Sequence, residues 1–151
     1  MLNLVRIIFY LQQFFEWITK PQTKKKVIRP TYREPPTAPD KYKRMLIYHN
    51  EFRHEYGLKP VEFNTKLCVS ALIHAERIAE DNAVSHKDFD KRVTLGVTGE
   101  VIIHYKDNPL ATFQKIIQNK NRRSTILSDV EYVGFGEDNG YWVLLFAKEV
   151  S

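Results

Sequence analysis

At 151 residues the chain has room for one domain with a single buried core and is too short for two comfortable ones. Its 43% hydrophobic and 27% charged residues exclude wholesale disorder. The net charge of +5 is uneven: Lys20, Lys24, Lys25, Lys26, Arg29 and Arg33 crowd one segment, while Glu16 and Glu34 are the only acids before residue 35. That asymmetry describes a basic tail facing an anionic membrane surface and disfavours a nucleic-acid-binding face.

Residues 1–20 are the most apolar stretch. On a helix, Asn3, Arg6, Tyr10, Gln13, Glu16 and Lys20 form a narrow polar stripe, and Leu4, Ile7, Ile8, Leu11, Phe14, Phe15 and Ile18 cover the rest. The apolar run falls short of the roughly 20 residues that a simple spanning helix needs. A cleaved signal peptide fits poorly, because its charge should precede the apolar run and a small-residue cleavage site should follow. Three expectations stand: an interfacial or signal-anchor helix, supported by Trp17 and the lysines beyond it; a helix packed on a partner or a second copy; or a helix folded back on its own domain. Residues 21–38 are basic and rich in proline, the composition of an extended, semi-rigid linker. The domain is expected over residues 39–151.

Within it, Thr37 and Asp40 have capping-box spacing and Gly57 is placed to stop a helix, so residues 39–56 are predicted helical, with Tyr42, Met45, Leu46, His49, Phe52 and Tyr56 on one face. A second helix is predicted from Asn64 to about Asn82, with Leu67, Ala71, His74, Ala75 and Ile78 inward. Residues 101–106 are β-branched and strand-like, and Asn108-Pro109 opens a third helix to about Asn119. Residues 130–138 and 140–148 flank Asp138-Asn139-Gly140 as a hairpin. Two helices, a strand, a helix and a hairpin make an α+β fold with a small antiparallel sheet. Cys68 is the only cysteine, which excludes an intrachain disulfide and a thiolate metal cluster.

These residues resemble a known family. Asn50 and Arg53, the turn Gly57-Leu58-Lys59-Pro60, His74-Ala75-Glu76, Ser85-His86, Gly99-Glu100, the run from Asn119 to Leu127, Gly134-Phe135-Gly136 and the closing strand 141–148 occur in the order seen in CAP-superfamily domains. That superfamily is also called SCP-like and includes pathogenesis-related and cysteine-rich secretory proteins; the resemblance is to its disulfide-free bacterial and phage branch. It covers roughly residues 40–148 and implies an α-β-α sandwich. A complete family site has two histidines and two glutamates around a cleft, some holding a divalent metal, and the resemblance places His86 and Glu100 at two of the four positions. Imidazole and carboxylate are ordinary zinc ligands, but a catalytic zinc takes at least three ligands from the protein.

At the second histidine position the chain has Arg122, whose guanidinium cannot ligate a metal. The second glutamate has no counterpart nearer than Gln114, and Val101 replaces the asparagine that follows the site glutamate. His104 lies four residues after Glu100, on the same strand face, as a substitute third ligand. The expectation is therefore a degenerate cleft lined by His86, Glu100, Arg122 and His104, with no metal and no confident catalytic residue. Arg122 is expected to pair with Glu100, and Glu100 to fix one tautomer of His86. His49 and His74 are read as satisfied core histidines. Ser85 beside His86 lacks the glycine-flanked setting of an activated serine.

The resemblance implies a binding or structural domain with a lipid, cell-envelope or protein partner, tethered to a membrane or assembly by residues 1–20. The alternatives are a hydrolase of peptide or envelope polymer acting through His86 and Glu100, and a phage or virion structural component. Localisation is expected at a membrane or the cell envelope, or within an assembly.

Overall fold

The computed structural model describes residues 38–151 together with Ile8. The expectations for the N-terminal helix and linker, and for Thr37 as part of a capping box, lie outside the described residues.

Helix α1 (Asp40–Glu55) starts at Pro39 without a side-chain cap, with Asp40 in its first turn. It stops as predicted at Gly57, whose φ of +70° puts it in the left-handed region. Gly57 N–H donates to His54 O and Leu58 N–H to Arg53 O, so the last carbonyls are satisfied by a Schellman arrangement. Strand β1 (Glu62–Phe63) leads into helix α2 (Thr65–Glu80), whose N-cap Asn64 accepts from Leu67 N–H at 3.2 Å. A short helix α3 (Phe89–Val93) precedes strand β2 (Val97–His104). Helix α4 (Pro109–Gln118) follows, with Asn108 capping Ala111 N–H and proline at its start. Helix α5 (Lys120–Ile126) is capped by Asn119, and strands β3 (Tyr132–Asp138) and β4 (Tyr141–Ala147) complete the order. Asn139 and Gly140 both have positive φ, the geometry of a two-residue type I′ hairpin.

Four strands form one sheet in the order β1-β3-β4-β2. The three long strands are antiparallel, as expected; the two residues of β1 pair parallel with β3 and make the sheet mixed. All seven residues of β4 are buried, which requires cover on both faces. On one face α2 packs Leu67, Ala71, Ala75 and Ile78 against Tyr141, Val143, Leu145 and Ala147. The ring of His49 on α1, between Phe113 of α4 and Phe135 and Phe146 of the sheet, marks the cover on the other. The result is the expected α+β, α-β-α sandwich.

Two of the polar residues that carried the resemblance hold this framework. The Asn50 side chain donates to Val61 O at 3.1 Å and accepts from Val61 N–H at 2.8 Å, fixing the approach to β1. Arg53 is buried, and its guanidinium donates to Lys59 O, Ile126 O, Ser128 O and Val130 O, tying α1 to the segment before β3. His49 is fully buried and donates from Nδ1 to Met45 O at 2.7 Å; its Nε2 has no partner, so it is only half satisfied. Burial pushes its pKa down to about 4, so it is neutral at pH 7.

Candidate functional site

The site forms where the segment after α2 crosses the start of β2. After Asn82 turns the chain (φ +49°), Ser85 Oγ accepts from Lys87 N–H and Phe89 N–H donates to His86 O. Asp88 sits in the left-handed region (φ +59°) immediately before α3. This compact turn brings His86 to Glu100, fourteen residues away, and His86 Nδ1 lies 2.8 Å from Glu100 Oε1.

The arginine on Glu100 is not Arg122 but Arg92, from α3. Its Nε donates to Glu100 Oε2 and its Nη2 to Oε1 at 2.8 Å, a two-pronged ion pair, while its Nη1 holds Lys87 O at 3.0 Å. The pair is out of water, with side-chain exposures of 6% for Arg92 and 2% for Glu100, whereas His86 is 61% exposed. Because Glu100 accepts, His86 Nδ1 carries its hydrogen and Nε2 is left as the basic nitrogen. Arg122 instead donates to Ile102 O at 3.1 Å, so its predicted pairing with Glu100 is corrected. The resemblance puts Arg122 opposite the carboxylate, but helix α3 delivers Arg92 there instead.

His104 is exposed and stacks on Tyr141, with ring centroids 3.9 Å apart and planes within 6°. It does not complete a ligand set: among the described residues no group of three or more His, Cys, Asp or Glu side chains is arranged to hold a metal ion. The donor chemistry agrees. Both oxygens of Glu100 are engaged, and a metal taking them would strand a buried guanidinium. The divalent metal that the fold family implies does not fit these residues.

Behind this pair lies a second polar cluster. His74, buried on α2, donates from Nε2 to Ser85 O at 2.7 Å and accepts at Nδ1 from Arg77 Nη2 at 2.9 Å. Arg77 Nη1 meets Asp88 Oδ2 at 2.7 Å, and that hydrogen bond holds the Asp88 carboxyl below its usual range. The residue 85–88 turn is thus anchored twice, by Glu100 and Arg92 at His86 and Lys87 and by His74 and Arg77 at Ser85 and Asp88. A groove of about 500 Å³ runs beside the cluster between α2 and α3, with Val69, Ile73 and Leu95 in its apolar lining and Lys66 and Lys91 beside them. Val69 and Ile73, which line it, are 53% and 60% exposed.

The family model for the cysteine-rich secretory protein family, CAP, matches residues 46–145. The chain belongs to the CAP family. Solved structures carry the same fold. An extracellular protein containing an SCP domain from Bacillus anthracis str. Ames is similar with a TM-score of 0.64 at 19% identity, over 77% of this chain and 45% of that one. An outer surface protein from Borrelia burgdorferi gives 0.63 at 16%, over 72% of this chain and 92% of that one. A cysteine-rich secretory protein from Staphylococcus aureus subsp. aureus Mu50 gives 0.57 at 20%, over 77% and 40%. This chain therefore spans less than half the length of the Bacillus and Staphylococcus proteins. No curated protein matches it. Within this CAP domain, Arg92 was the site residue that sequence reasoning missed: five residues of α3 are too few to show a period, and no local rule links positions eight apart.

Proposed function

We propose that this CAP domain is a non-catalytic binding module of the cell envelope, carried to a membrane surface or protein assembly by residues 1–20 and the basic linker 21–38. The observation that carries the reading is the engagement of Glu100. With Oε1 and Oε2 held by Arg92 and His86, the carboxylate acts as a pin for the 85–88 turn and is withdrawn from metal ligation and proton transfer to a substrate. The apolar groove with Lys66 and Lys91 supports an amphipathic ligand, a lipid or envelope component, or an apolar protein segment. The extracellular and outer-surface descriptions of the similar structures support an envelope setting. No helix among the described residues is long and apolar enough to cross a membrane, so membrane attachment rests in this reading on the N-terminal segment.

Flotation with vesicles containing anionic phospholipid tests the tether. The full chain is expected to float, a chain lacking residues 1–20 to stay below, and His86→Ala to float like the parent. Failure of the full chain to float removes the membrane tether. Metal content after extensive dialysis against zinc-containing and then zinc-free buffer is expected below about one-tenth of an equivalent. Retention of a full equivalent overturns the metal-free reading.

One observation favours the hydrolase alternative: His86 is oriented by a carboxylate and points its other ring nitrogen away from it, as a general base does. Release of soluble fragments from cell-envelope polymer that disappears in His86→Ala would establish it. The binding reading expects none.

A further inference from the structure

His74 is used twice, and both uses require the neutral ring. Its Nε2–H holds the Ser85 carbonyl, and its Nδ1 lone pair receives the Arg77 guanidinium. A proton on Nδ1 would aim an N–H at another N–H 2.9 Å away, so Arg77 would have to leave. Arg77 is also the group that holds Asp88, a residue with a positive φ, and it reaches Lys87 O at 3.5 Å. Its departure frees a turn whose backbone is held in a sparsely populated conformation.

We propose that His74, Arg77 and Asp88 form an acid-released clasp on residues 85–88, which opens one wall of the α2–α3 groove when His74 takes a proton. The charged and titratable groups facing His74 are Arg77 on α2, Asp88 on the turn, Arg92 on α3 and Glu100 on β2, with Lys91 further along the groove wall. Burial lowers the pKa of His74 below the ordinary 6.5; Arg92 and Arg77 push it the same way, against the Ser85 carbonyl and Glu100. A folded-state pKa below the unfolded value gives stability that is complete above pH 6.5 and lost as pH falls through the folded value. Asp88 is paired on both sides, by Arg77 and at 3.6 Å by Lys91, and remains ionised through that window because its own pKa is lowered. The clasp belongs to the protein alone and holds whatever occupies the groove.

Amide hydrogen exchange on the full chain, corrected for intrinsic rates, tests it between pH 7.5 and 5.0. The amides of Lys87 and Phe89 are expected to lose protection by up to about tenfold per pH unit below 6.5, while amides of β4 keep theirs. Equal protection of Lys87 and Phe89 at the two pH values overturns the proposal. His74→Gln, a non-titrating donor for Ser85 O, is expected to abolish the step, and a step that persists in His74→Gln also overturns it. His86 carries a titratable ring in the same turn, and this variant separates the two. Should His74→Gln fail to fold, NMR titration of the parent decides: the His74 ring signals and the amide shifts of residues 87 and 89 are expected to share one midpoint, and different midpoints sink the idea. His49 affects only the global unfolding that all variants share.

Discussion

Arg92→Ala is expected to lower folding stability by about 3–5 kcal/mol, the range for breaking a buried ion pair from one side. The side chains of Arg92 and Glu100 are 6% and 2% exposed, so water does not screen the charge left behind. The Glu100 carboxylate would lose two of its three side-chain hydrogen bonds, and Lys87 O would lose the closer of its two donors. Adding Glu100→Gln to Arg92→Ala is expected to recover part of the loss, because it removes the uncompensated charge. Urea denaturation at pH 7 measures both. A cost below about 1 kcal/mol, the value of an exposed pair, would show that the pair is hydrated and that Glu100 is free for other work.

Gly136→Ala is expected to cost at least about 3 kcal/mol, the upper part of the range for overpacking. Helix α2 lies directly on β3, and a Cβ on Gly136 would fall inside the backbone of Ala71 and Leu72. Backbone cannot rotate aside as a side chain can, so the helix must retreat along its length and loosen Leu67, Ala71 and Ala75 against β4. Gly134 meets Leu67 and Cys68 in the same way one helical turn earlier. Gly57→Ala is the control: a Cβ there meets nothing within 4 Å, and only the φ of +70° opposes it, at about 1–2 kcal/mol. Thermal unfolding should rank Gly136→Ala well below Gly57→Ala; the reverse order would mean that α2 does not rest on β3 as closely as described.

Long elements with a clear period were legible from sequence. The stripe of Tyr42, Met45, Leu46, His49 and Phe52 found α1, and Asn64, Asn108 and Asn139-Gly140 marked two caps and a turn by their own chemistry. Short elements were not. Helices α3 and α5 span five and seven residues, and β1 only two, so their conformation is decided by what they pack against. The site divided along the same line. His86 and Glu100 were recognisable as a pair because a family pattern names their positions, and they are within 2.8 Å of each other. Arg92 was invisible, since nothing in the order of residues says that α3 turns its arginine toward β2 and not toward solvent. Arg122 was assigned by position in a motif, and position does not report where a long, flexible side chain finds its acceptor.

The strand order has a consequence for biosynthesis. Strand β4 lies between β3 and β2 and follows both of them in the chain. When β2 leaves the ribosome it has no sheet partner, and it waits with Val101, Ile102 and Ile103 uncovered until Tyr141–Ala147 follows. Helix α2 can rest on β3 once that strand is made, but its packing on Tyr141, Val143, Leu145 and Ala147 waits for β4. Closure of the sheet therefore waits for β4, and the nascent chain carries an unpaired apolar strand for some forty residues of synthesis, the interval from Val97 to Tyr141.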